Sequence, residues 1–277
     1  MSSERRPGLR RSIHLFRQFR LEQSDPDAFY GALATDSVEQ IRQHAGDLHG
    51  RTLLDVGGGP GYFATAFRGA GATYVAVDAD AGELAALGAP GPGTVLGSGM
   101  ALPVRSGSVD VCYSSNVLEH VPDPWRMADE MLRVTRPGGT VFLSYTNWLG
   151  PHGGHETAPW HYLGGRRARS RYRRTHGHEP KNRYGESLFA VSARGGLRWA
   201  QRRVVSGHAE LVASFPRYHP WWAWWVVRVP GLREVGTWNL VLVLRRTVTP
   251  MDRSGSVPAA SLGTEAPPPT LRGARRP

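Results

Sequence analysis

The run Leu53-Leu54-Asp55-Val56-Gly57-Gly58-Gly59-Pro60-Gly61-Tyr62-Phe63 constrains this chain more than any other: apolar residues close on an acid and enter a turn with glycine at 57, 59 and 61. Glycine tolerates a positive φ and carries no Cβ, so such a turn can pass from strand to helix while its backbone approaches a ligand. After it, short apolar runs alternate with stretches of helical spacing, the pattern of βαβ units on a mostly parallel sheet. The spacing predicts strands at 52–57, 73–78, 94–98, 109–115 and 140–145, and a helix at 124–135 stopped by Pro137-Gly138-Gly139. Further strands are expected at 203–206 and 238–244.

One domain is expected over 13–246. Within it, 13–50 read as two leading helices split at Asp25-Pro26, 51–146 as a nucleotide-binding core, 147–187 as an insertion beside the site, and 188–246 as the end of the sheet with a tryptophan-rich helix. Residues 1–12 are polar and basic, and 247–277 hold six prolines and no aromatic residue, so both are expected to be disordered tails.

Cys112 is the only cysteine, which excludes an intramolecular disulfide and a cysteine zinc site and suits a reducing compartment. No apolar run reaches the ~20 residues of a membrane span, and no apolar stretch follows the basic start, so a cytoplasmic protein is expected. The net charge of +11 is an arginine effect, because Lys181 is the only lysine among 34 cations. Residues 51–150 carry nine acids against six arginines, so the excess lies outside the predicted core. Nucleic acid is therefore not the expected partner.

The glycine spacing narrows the ligand. A dinucleotide turn, G-x-G-x-x-G counted from Gly57, would need glycine where Tyr62 stands, and no Gly-Lys-Ser/Thr of a P-loop follows. An acid at the strand end disfavours a pyrophosphate and suits a ligand with an ammonium group and no phosphate, a description that matches S-adenosylmethionine.

Four motifs in order now resemble one family. DVGGGPG (55–61), VDAD (77–80), GSGMALPV (97–104) and VDVCYSSNVLEHV (109–121), continuing through LRVTRPGGTVFLS (132–144), are similar to class I S-adenosylmethionine-dependent methyltransferases, in the branch of the quinone-biosynthesis enzymes. The resemblance implies an α/β fold: an open seven-stranded, mostly parallel Rossmann-like sheet with helices on both faces and an inserted acceptor or lid segment. It also implies that Asp55, Gly57, Gly58, Gly59 and Gly61 border the methionine end of the cofactor. Asp78, with Ala79, would meet the ribose, and Ser98, Gly99 and Met100 the adenine. Ser98 stands where the family usually has an acid. Ser115 and Asn116 are expected to face the sulfonium.

A sulfonium is already an activated leaving group, so no protein nucleophile is required. Candidate catalytic groups are His120, near the expected methyl, and His155 and Glu156 in the insertion, where His152 and His161 also lie. The order H-x-x-H-E matches no helical zinc motif, so no metal is expected. Residues 166–183 carry seven arginines and Lys181 against Glu179 and read first as a solvated, arginine-biased surface and second as a clamp for an anion. Four of the nine tryptophans lie between Trp221 and Trp225, as a core or lid helix or as an interfacial segment touching lipid. The expected acceptor is accordingly small and apolar or lipid-linked. A cofactor-binding protein without turnover and an RNA methyltransferase are the alternatives.

Overall fold

The computed structural model describes residues 7–19 and 25–248. The chain divides into Met1–Thr247 and Val248–Pro277, and of the expected proline-rich tail all but residues 247 and 248 lie outside the described residues.

Among the described residues, seven strands form one sheet in the order β3-β2-β1-β4-β5-β7-β6: β1 (Thr52–Val56), β2 (Thr73–Asp78), β3 (Thr94–Leu96), β4 (Val109–Ser115), β5 (Thr135–Thr146), β6 (Ala209–Pro216) and β7 (Asn239–Arg246). Pairing is parallel from β3 through to β5, and β7 runs antiparallel to both β5 and β6. The strand order therefore reverses between β1 and β4. Crevices of open α/β sheets lie at the carboxyl ends flanking such a reversal.

The helices are α1 (Leu9–Phe19), α2 (Pro26–Ala45), α3 (Ala64–Gly69), α4 (Ala81–Leu84), α5 (Pro124–Val134), α6 (Gly165–His176), α7 (Ala193–Val205) and α8 (Leu232–Gly236). Alternation along the strands sorts side chains to two faces. Leu53, Val111, Tyr113, Phe142 and Val243 pack against Phe29, Leu33, Ile41 and Phe67 of α2 and α3. Leu54, Cys112, Val141, Leu143 and Leu242 pack against Met127, Met131 and Trp199 of α5 and α7.

Several expectations are corrected. The basic start is helical from Leu9: Ser12 and Leu15 are buried, and Arg11 Nη2 donates to Asp36 Oδ2 of α2 at 2.8 Å. The stretch 203–206 is mostly the end of α7, not a strand. Ser192 caps that helix by accepting from Gly195 N at 3.0 Å, and Gly196, Trp199 and Ala200 bury one helical face. The strand expected there comes later, as β6. Pro137-Gly138-Gly139 lie inside β5, which begins at Thr135 with a shift of register against Val109 and Val111 of β4. β3 ends at Leu96 rather than at residue 98.

The insertion also has structure. Short 3-10 turns at His155–Thr157 and Trp160–Leu163 lead into α6, whose arginines are partly neutralised locally: Arg169 bonds Glu179 at 2.8 Å and Glu186 at 2.7 Å. Among the described residues no helix is long and apolar enough to cross a membrane.

Candidate cofactor crevice and active site

The turn after β1 is fastened to its neighbours by backbone bonds. Gly57 N donates to Val77 O at 2.8 Å, and Gly61 N to Gly58 O at 3.1 Å. Gly57 has φ 78°, and a Cβ there would lie 2.3 Å from Val117 Cγ2, so only glycine fits. Gly58 is equally confined, by Ala76 Cβ at 2.9 Å and Tyr74 Oη at 3.2 Å. At Gly59, φ is 49° and a Cβ would meet nothing within 4 Å. The turn is thus pressed against the sheet at 57 and 58 and open at 59.

The two acids of the motifs do different things. Asp78 ends β2 half-buried: its Oδ2 accepts from Gly59 N at 2.9 Å and its Oδ1 from Asp80 N at 3.0 Å, so it ties the glycine turn to the loop that carries exposed Ala79. Asp55 is 1% exposed and accepts from Tyr74 Oη at 2.7 Å, beneath the turn. The expectation that it shows its charge to the ligand is corrected: the carboxylate is sealed from the crevice. Burial, partly offset by the Tyr74 hydrogen bond, pushes its pKa up to about 7.

The third motif forms a compact turn. Gly97 N donates to Asp78 O at 2.8 Å, Ser98 Oγ accepts from Met100 N at 3.2 Å, and Arg126 Nε of α5 donates to Met100 O at 3.0 Å. A Cβ on Gly99 would crowd Met127 Sδ and Val56 Cγ1 at 3.2 Å, so this turn lies tight on the end of β1.

Beyond β4, Asn116 adopts φ 57°, one of two described non-glycine residues with positive φ. Its N donates to Ser144 O at 2.9 Å, and its Oδ1 accepts from Asn239 Nδ2 at 2.7 Å. Beneath it lies Arg217, fully buried, donating to Ser115 Oγ at 2.7 Å, Ser144 Oγ at 2.9 Å and Ser37 Oγ at 2.5 Å. Sequence reasoning missed Asn239, Ser144 and Arg217. Asn239 opens an apolar strand and could have been flagged for that, whereas nothing distinguishes Arg217 among so many arginines.

Of the candidate catalytic groups, the structure brings His120 and His155 together, rings 5.1 Å apart, beside buried Glu119. Burial first, then the neighbouring His120, lowers the His155 pKa to about 4, so His155 is neutral at pH 7. Glu156 turns to Asn182, which donates to it at 3.0 Å. His161 is buried, its Nε2 3.2 Å from Gly150 O, and belongs to the packing of the insertion.

An open turn at Gly59, a half-buried carboxylate at Asp78 and the turn at 98–100 stand side by side at the carboxyl ends of β1, β2 and β3, next to the strand reversal, a set of groups that suits a nucleoside. Comparison with known proteins agrees. A family model described as a methyltransferase domain matches residues 54–143. An uncharacterized methyltransferase from Mycobacterium marinum is 58% identical over 249 residues, covering 87% of this chain and 96% of the relative. Another from Mycolicibacterium vanbaalenii is 59% identical over 253 residues, covering 87% and 96%. Among solved structures, an S-adenosylmethionine-dependent methyltransferase from Mesorhizobium loti superposes with TM-score 0.50 at 21% identity, covering 76% of this chain and 98% of that one. A geranyl diphosphate C-methyltransferase from Streptomyces coelicolor, in complex with Mg2+, geranyl diphosphate and S-adenosyl-L-homocysteine, gives 0.51 at 16%, covering 82% and 85%. These last two establish the fold. Sequence identity, fold and crevice together place the chain in the class I S-adenosylmethionine-dependent methyltransferase family.

Proposed function

We propose that this methyltransferase acts on a small apolar or lipid-linked acceptor that enters beside the tryptophan-rich segment. The observation that carries this is a cluster of exposed apolar side chains, Trp221, Trp222 and Trp225 with Leu9, Ile13 and Phe16, on two neighbouring segments. Trp221, Trp222 and Trp225 of the 3-10 helix Trp221–Arg228 are 44%, 57% and 54% exposed, while Trp224 stacks on Phe215 and Val226 and Val227 anchor the segment. Trp221 N donates to Pro7 O at 2.9 Å, which sets the segment beside α1, where Leu9, Ile13 and Phe16 are also exposed. Phe16 meets Trp238 at 5.7 Å, and Trp238 precedes Asn239, the partner of Asn116. Exposed tryptophans with arginines beside them suit the interface of an anionic bilayer.

When bound, S-adenosylmethionine supplies a methyl group on a positively charged sulfur that leaves as a neutral thioether. The chain's own residues bind and orient. In this reading Asp78 accepts from ribose hydroxyls, the turn at Ser98, Gly99 and Met100 borders the adenine, and Gly57, Gly59, Ser115 and Asn116 border the methionine end. Asp55 supports them from below through Gly58 and Tyr74. Alignment and exclusion of water are what this pocket contributes to in-line displacement.

Incubation of the intact protein with methyl-labelled cofactor and either a lipid or an aqueous metabolite extract tests the reading. Label is expected in the organic phase, and label confined to water-soluble products would overturn the acceptor class. Flotation with anionic vesicles should in addition weaken when Trp222 and Trp225 are replaced by serine.

A further inference from the structure

Glu119, His120 and His155 offer one ligating atom each, all within 4.8 Å of one another, although His155 lies 35 positions after His120 in the chain. We propose that they bind a divalent first-row transition-metal ion of the zinc type, at the acceptor side of the crevice, independently of which acceptor is used.

Each ligand is held as a metal ligand needs to be. Glu119 is 1% exposed; its Oε1 accepts from Thr146 N at 3.0 Å, while its Oε2 is buried with no hydrogen-bond partner. A buried carboxylate oxygen without a hydrogen-bond partner, on a side chain beside two imidazoles, is costly without a cation or proton to meet it. His120 Nδ1 lies 2.8 Å from Ser187 O and donates to it, which leaves the Nε2 lone pair for a metal. A backbone carbonyl in this outer role is the usual orienting partner of a ligating histidine. His155 Nδ1 is likewise buried without a partner, and its backbone is held at φ 48°, a strained value for a histidine. The frame is braced by Phe189 N donating to Glu119 O at 2.8 Å.

Two nitrogens and one carboxylate oxygen favour zinc, cobalt or iron over magnesium or calcium, which prefer oxygen throughout. Three protein ligands leave a coordination position open, as in catalytic rather than structural zinc sites. Glu119 and His120 follow Asn116, and His155 follows β5, so that position is at the same sheet edge as the cofactor crevice.

The full chain, free of tag histidines and stripped with chelator, is titrated with Co2+ and Zn2+, reading uptake by elemental analysis and the visible bands of four-coordinate cobalt. One equivalent is expected. His120→Ala and His155→Ala should each weaken binding by roughly 100-fold, more than an outer-shell loss costs. Glu119→Gln keeps an acceptor for Thr146 N and serves if the histidine variants misfold; it should lose the cobalt bands with native circular dichroism. His178→Ala, in the exposed pair with His176, should change nothing. No uptake, uptake that survives Glu119→Gln unchanged, or uptake abolished by His178→Ala would each overturn the proposal.

Discussion

Asn239 Nδ2 donates to Asn116 Oδ1 at 2.7 Å, so the first residue of β7 holds the side chain of the residue that leaves β4. Asn116 sits at φ 57°, a conformation that asparagine and glycine tolerate and other residues resist. Asn116→Gly keeps that backbone and removes only the amide. Because it also leaves the buried Asn239 amide without its acceptor, its melting temperature should fall by about 2–8 °C, while turnover falls at least roughly tenfold. Asn239→Ala removes the donor and should cost about 1–2 kcal/mol in urea unfolding, with a smaller loss of turnover. Undiminished turnover in Asn116→Gly would show that its side chain is not used.

Gly57 and Gly59 separate folding from binding. A methyl group at 57 would collide with Val117 at 2.3 Å, so Gly57→Ala should lower the melting temperature by several degrees as well as abolish cofactor binding. At Gly59 the space is open, and alanine faces only the positive φ, a cost of roughly 1 kcal/mol. Gly59→Ala should therefore fold and still bind S-adenosylmethionine at least about tenfold more weakly by calorimetry, because its methyl group would fill the crevice.

How much of this was legible before folding differs from element to element. β1, the glycine turn, β2 and β4 carry their own signals: apolar runs, an acid at the strand end and glycines at fixed offsets. α7 concealed itself because Gly195 and Gly196 interrupt helical spacing, and they are there for packing. A Cβ at 195 would lie 2.8 Å from Trp125, and one at 196 would lie 2.2 Å from the Tyr145 hydroxyl. Val204-Val205 then resembles a strand although it ends a helix. The grouping of Glu119 and His120 with His155 was hidden for another reason. It depends on the insertion folding back, with Ser187 and Phe189 bonding to His120 and Glu119, and no local spacing encodes that return.

Arg217 and Asp36 should respond unequally to loss. Arg217 is completely buried, with its guanidinium 4.0 Å from Asp36, and Asp36 also takes Arg11 and Gln40. Replacing Arg217 by methionine leaves Asp36 paired and leaves serines that can bond to one another, as Ser144 already does to Ser115 at 3.2 Å. About 2 kcal/mol is expected. Asp36→Ala instead leaves a buried cation without its counter-charge and should cost about 3–5 kcal/mol. Equal losses in urea unfolding would contradict this asymmetry.

Asp55 makes stability depend on pH in a direction opposite to that of an ion-paired carboxylate. Its pKa is raised from 3.8 to about 7, chiefly by burial, so the folded chain holds a proton that the unfolded chain has released. The resulting stability is complete below about pH 4, drains away as pH climbs towards about 7, and is flat beyond, since stability falls with pH wherever the native state binds more protons. Asparagine at 55 can still accept from the Tyr74 hydroxyl and carries no titrating group. Asp55→Asn should therefore gain on the parent between pH 4 and pH 8, by an amount on the order of 4 kcal/mol for a shift of this size. Urea unfolding of both chains at pH 5, 6, 7 and 8, without cofactor, measures the gap. A gap that stays constant across that range would mean that Asp55 is ionised in the folded protein throughout, with a cation or water reaching it beneath the turn.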